Sequence, residues 1–155
     1  MELVKIIDYI DESLICLDLK SKNKEEMLKE LGKLIGKSKN IIDEKEVYKA
    51  LTEREKIGST GIGKGVGIPH AKTESAIGLT IAFGISRSKI EFDSLDEEKV
   101  SIFFVFASPL KDGQTYLKVL ARISRLLREE NFRKKLLSAK TEKEVIELIR
   151  VEEGI

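Results

Sequence analysis

Two apolar runs, residues 79–85 and 100–107, constrain this chain more than anything else in it. A strand with no polar face has to be covered on both sides, so each run predicts a central strand of a sheet with helices over both faces. Neither run is long enough to cross a bilayer, which takes about 20 apolar residues in a helix. The segments around them read as helices. Asn23 with Glu26 opens one with an Asx-type variant of the capping box. Met27, Leu28, Leu31, Leu34 and Ile35 form its apolar stripe, and Gly36 predicts a C′ stop. Asp43 with Glu46 repeats the start signal, with Val47, Ala50, Leu51 and Arg54 at helical spacing up to about Lys56. A long helix is expected over residues 114–129, its buried side formed by Tyr116, Leu117, Leu120, Ile123, Leu126 and Leu127. Asn131 is read as the cap of a helix through Leu137, and Thr141 with Glu144 as the capping box of a last helix to about Glu152.

Shorter pieces complete the pattern. Residues 3–10 predict an opening helix and residues 14–19 a strand. Residues 66–68 predict an extended piece, residues 89–92 an edge strand and residues 111–113 a turn. Strands alternate with helices and no repeat or linker interrupts them. The expectation is an α/β fold, a central β-sheet flanked by helices on both faces, in a single domain over residues 1–155.

The formal net charge of the 155 residues is only +1, so no electrostatic footprint for nucleic acid is present. Cys16 is the sole cysteine; no internal disulfide can form, which fits a reducing cytoplasm, and between Ile15 and Leu17 it reads as a small buried hydrophobe. The first residues, Met1 to Lys5, lack the charged head and apolar stretch of a signal peptide.

The sole histidine, His70, ends a ladder of glycines at alternate positions: Gly61-Ile62-Gly63-Lys64-Gly65-Val66-Gly67-Ile68-Pro69-His70. Glycine lets a backbone approach another group closely, and Pro69 stiffens the chain just before the imidazole. A P-loop is excluded because Gly65 stands where its Ser or Thr should follow the lysine, and the dinucleotide fingerprint because Val66 stands at its third glycine. One histidine and one distant cysteine cannot make a zinc site, and no Gly-x-Ser-x-Gly elbow is present. No metal and no cofactor is expected. The residues then leave two readings: a structural histidine after a tight turn, or a nucleophile toward phosphorus. For the second, backbone N–H groups of Gly61, Gly63, Gly65 and Gly67 could cradle phosphoryl oxygens. Ser59 and Thr60 would add hydroxyls and Arg54 a permanent cation.

The stretch Arg54-Glu55-Lys56-Ile57-Gly58-Ser59-Thr60-Gly61-Ile62-Gly63, continued to His70-Ala71-Lys72, resembles the signature of the fructose/mannitol-type enzyme IIA domains of the bacterial phosphotransferase system. Its portion from Arg54 to Gly63 looks especially like the nitrogen-regulatory members. The resemblance runs from about Leu14 to Ile149 and implies a mixed sheet between helices. It implies that His70 accepts a phosphoryl group from an HPr-like phosphocarrier and passes it to a IIB cysteine for sugar uptake. In a nitrogen-type regulator, the phosphorylation state would instead control contacts with a target protein. It also implies that Arg54 lies near the phosphohistidine. Two positions depart from the family pattern. Ala71 replaces a frequent glycine, and Tyr116 stands where a second histidine is usual. Tyrosine donates a hydrogen bond but carries no positive charge, so weaker phosphohistidine stabilisation is expected. A domain that keeps the fold and has lost transfer is the third alternative.

Overall fold

The structure, a computed structural model, describes residues 4–155. Of the sequence readings, those on Met1–Leu3 lie outside the described residues. The chain opens with short 3-10 turns at Ile6–Tyr9 and Glu12–Leu14 and a two-residue strand β1 (Ile15–Cys16). Helices α1 (Lys24–Ile35) and α2 (Glu44–Ile57) follow, then three short strands: β2 (Gly61–Gly63), β3 (Val66–Gly67) and β4 (His70–Lys72). The long strands β5 (Thr80–Ile90) and β6 (Val100–Ser108) precede α3 (Gly113–Leu126), α4 (Glu130–Ser138) and α5 (Glu142–Glu152).

One mixed six-stranded sheet in the order β1-β5-β6-β3-β2 organises all of this. Its spine is the antiparallel pair β5–β6, with Phe83 opposite Phe104. β6 is buried at every position, as its apolar run demands of a strand covered on both faces. On its other side β6 pairs in parallel with two successive strands. β3 aligns Val66 with Ile102, and β4 aligns His70 with Phe106. Pro69 separates them because it has no N–H to continue the ladder, yet its carbonyl still accepts the Phe106 N–H at 3.1 Å. Proline thus ends one strand and starts the next with His70 at its first position.

The caps at Asn23 and Thr141 form as expected, each side chain accepting an N–H three residues on, from Glu26 at 2.9 Å and Glu144 at 3.1 Å. Asp43 also caps its helix, but bonds to Lys45 N–H. Several expectations are corrected. Gly36 is not a left-handed C′ residue, since its φ is −63°. Its glycine serves a close approach instead: a Cβ there would lie 2.6 Å from the Glu44 Cβ. Asn131 is inside α4; the N-cap is Glu129 and makes no capping bond. The stretch 89–92 is no separate edge strand, because β5 runs on to Ile90. The strand at 14–19 shrinks to two residues, although the Leu19 N–H still reaches the Ile85 carbonyl at 2.9 Å. Leu117 is 64% exposed and so leaves the buried side of α3. Cys16 is half-buried, packed against the core but not within it.

Candidate functional site

The spacing of α2 brings the first group to the site. Val47, Leu51 and Glu55 recur every four residues and are the buried positions of the helix, so the stripe ends on Glu55 and not on Arg54. A charge in an apolar stripe needs partners. Glu55 finds the Lys24 ammonium at 3.0 Å, the Thr60 N–H at 2.8 Å and the Thr60 hydroxyl at 2.6 Å. Lys24 in turn lies 4.8 Å above the Phe92 ring. This network fastens the end of α2 to the start of the glycine segment. Arg54, the neighbouring residue, lies off that stripe, its Nη1 donating to the Gly58 carbonyl at 2.9 Å.

The alternate glycines build a hairpin rather than an open cradle. Gly61 pairs with Gly67, and Gly63 with Val66. The turn uses left-handed backbone at Gly63 (φ 97°), Lys64 (φ 58°) and Gly65 (φ 79°). It is held by Asp96, whose carboxylate accepts the Lys64 N–H at 2.8 Å and the Glu98 N–H at 3.1 Å; these bonds keep that carboxyl below its ordinary range. Gly61 packs directly on Ser94, where a Cβ would collide with the serine hydroxyl. The hydroxyls of this segment are committed to the fold: Ser59 donates to the Phe92 carbonyl at 2.6 Å and Thr60 to Glu55. Gly65 lies beside Ser101 and Ile102, and His70 opposite Phe106. Four residues along a strand, roughly 13 Å, therefore separate the hairpin turn from the imidazole. The structure brings Tyr116 to His70 and leaves the Arg54 charge near enough to act on its pKa; it places Gly63 and Gly65 away from it.

His70 is 5% exposed. Its ring stacks on Phe106 with centroids 5.2 Å apart and planes 11° apart, and meets Tyr116 edge-on at 5.4 Å. Nδ1 lies 2.6 Å from the Ile68 carbonyl oxygen. A carbonyl only accepts, so Nδ1 carries the hydrogen and the neutral ring bears its lone pair on Nε2. Nε2 has no hydrogen-bond partner among the described residues. Burial lowers the His70 pKa, and the Arg54 cation lowers it further. The Ile68 bond and the Glu55 charge oppose this without reversing it. The imidazole is thus held neutral near pH 7. Tyr116 is held as the neutral phenol too: burial raises its pKa, against a smaller opposing pull from Arg54. Lys72, two residues beyond His70, has its ammonium 5.0 Å from the centre of the Tyr116 ring. Of the apolar residues at the loop, Ile68 is core and Ile62 is 43% exposed.

Sequence reasoning missed Glu55, Lys24 and Lys72. Glu55 could have been found as the charge closing the Val47–Leu51 spacing, and Lys72 as the residue sharing His70's face of a strand. Nothing local marked Lys24, which arrives from another helix.

Residues 8–151 match the family model described as phosphoenolpyruvate-dependent sugar phosphotransferase system, EIIA 2, and the chain belongs to that family. It is 37% identical to the fructose-specific EIIABC component of Bacillus subtilis, over 94% of this chain and 23% of that much longer protein. It is 33% identical to the fructose-specific EIIA component of Haloferax volcanii, over 96% of this chain and 97% of the relative. The crystal structure of the nitrogen regulatory protein IIA-Ntr from Neisseria meningitidis superposes with a TM-score of 0.86 at 30% identity, over 93% of this chain and 98% of that one. Relatives of both the sugar-specific and the nitrogen-regulatory kind therefore surround it. Among the described residues, no helix is long and apolar enough to cross a membrane, and no group of three or more His, Cys, Asp or Glu is placed to hold a metal ion.

Proposed function

We propose that His70 is a phosphoryl acceptor in a phosphotransferase relay. It would take the group from an HPr-like phosphocarrier and pass it to a IIB cysteine for sugar uptake. The observation that carries this reading is the Nδ1–Ile68 bond, which directs the lone pair of a neutral ring onto Nε2, on a ring whose pKa the Arg54 charge helps to lower. In the accepting step Nε2 bonds to phosphorus as the donor's N–P bond breaks, and that bond's electron pair leaves with the donor imidazole. Arg54 would steady the added negative charge. Tyr116 would offer a phenolic hydrogen to a phosphoryl oxygen.

The test is to incubate the chain with phosphoenolpyruvate, enzyme I and HPr. The expected product carries acid-labile, base-stable phosphate, and His70→Ala carries none. An unlabelled wild-type chain, with a cognate HPr, rejects the reading.

The likeness to IIA-Ntr supports a second output, in which His70 phosphorylation controls contact with a target protein. A pull-down with His70→Ala and His70→Asp separates the two. Capture of a IIB partner marks transport, and phosphostate-dependent capture of a non-transport protein marks regulation.

A further inference from the structure

Lys72 is placed against the ordinary logic of helix electrostatics. A Cβ on Gly113, the first residue of α3, would lie 3.5 Å from the Lys72 ammonium nitrogen. The cation therefore stands at the N-terminus of a helix, the positive end of its dipole, where positive charge is disfavoured. The one carboxylate at this end is the N-cap Asp112, whose side chain makes no capping bond, and the first turn of α3 contains no further acidic residue. Lys72 enters no ion pair among the described residues. What it has is the face of Tyr116 at 5.0 Å, a cation–π contact that holds an ammonium without neutralising it.

These groups converge on His70. His70 and Lys72 are positions i and i+2 of β4, so their side chains leave the same face of the strand. Tyr116 touches both, edge-on to the imidazole at 5.4 Å and under the ammonium at 5.0 Å. Tyr116 thus links the acceptor ring to an ammonium that enters no ion pair and to a helix N-terminus without a side-chain cap, the kinds of group that hold a phosphate.

We propose that Lys72 and the first N–H groups of α3 bind the oxygens of the phosphoryl group on His70, with Tyr116 as the platform that aims the lysine. This rests on the relay reading and deepens it. The tyrosine is then more than a missing histidine: it carries no positive charge itself but holds the Lys72 ammonium on its ring.

The test has two readouts. The first needs no relay: titrate the unphosphorylated chain with inorganic phosphate and follow the backbone amides of Gly113 and Gln114 by NMR. Saturable shifts that vanish in Lys72→Gln and survive in Lys72→Arg support the site. Shifts unaffected by Lys72→Gln, no shifts at all, or an adventitious ion only, with every basic surface responding equally, overturn it. The second readout is the rate of phosphoryl transfer from HPr. Lys72→Gln is expected to lower it about tenfold, the scale of one charge-assisted hydrogen bond, with Lys72→Arg recovering most of the loss and the melting temperature unchanged. The loss should shrink in a Tyr116→His background, where a second cation is supplied. Labelling of the wild type with an equal rate in Lys72→Gln overturns the inference while leaving the relay intact. An unlabelled wild type overturns the relay, and the phosphate titration then decides whether the anion site exists.

Discussion

At His70 the cost of burying a charge sets the pH behaviour. Its pKa in the folded chain is lowered, chiefly by burial, below the value of about 6.5 that it has in an unfolded one. Above pH 6.5 both states hold the neutral ring and the native state keeps its full advantage. As pH falls below that, the unfolded chain takes a proton that the native ring refuses, so stability declines until the native pKa is passed. Urea midpoints of the wild type should therefore fall between pH 7 and pH 5.5 more steeply than those of His70→Gln. Phosphoryl acceptance should hold its rate below pH 6.5, where a free imidazole is already half-protonated; a rate that halves near 6.5 contradicts the assigned shift. How legible this was differs by residue. His70 stood out as a candidate because histidine occurs once in the chain, and Arg54 because it lies just before the glycine ladder. The bond from Nδ1 to Ile68 was not, because it depends on where Pro69 turns the chain. The glycines were legible as backbone freedom, but sequence alone could not tell a cradle from a hairpin. That choice was made by partners far along the chain, Asp96, Ser94 and Phe103.

Among the elements, the strands declared themselves best. β5 and β6 carry long apolar runs, and being covered on both faces left them one kind of environment. The two-residue strands β1 and β3 could not be delimited from sequence, since β1 is defined by its pairing with β5 and β3 by its pairing with β2 and β6. The α1–α2 pair gives a clean check on close packing. Gly36 has ordinary right-handed backbone, so alanine there costs nothing in conformation and everything in contact: its Cβ would fall 2.6 Å from that of Glu44. Gly36→Ala is expected to destabilise by about 1–3 kcal/mol through overpacking, measured by urea unfolding. An unchanged or raised midpoint would mean that the helices can part at no cost.

The molecule as a whole is tied end to end by one carboxylate. The Glu153 side chain is fully buried just past α5 and accepts the Ile6 N–H at 2.8 Å, the Ile7 N–H at 2.9 Å and the Arg122 guanidinium at 2.9 Å. It therefore joins the first turn, the last helix and α3 across a sequence separation of 147 residues. Glu153→Ala should cost about 3–5 kcal/mol, because it orphans two N–H groups and leaves a shielded arginine without its counter-charge. Thermal unfolding measures it, and a loss under 1 kcal/mol would show that the ends close without this tie. Nothing in the sequence marked Glu153, which lies in an acidic tail that reads as solvated surface. The overall layering was legible because alternating patterns admit few arrangements.

The imidazole, 5% exposed, has a single unshared electron pair, and that pair can bond to one phosphorus at a time. Under the proposed relay, donor and recipient must alternate, each leaving before the next arrives, and no ternary assembly forms. Double-reciprocal plots of flux against one carrier, at several fixed levels of the other, should then run parallel; lines that intersect would mean that both carriers bind at once.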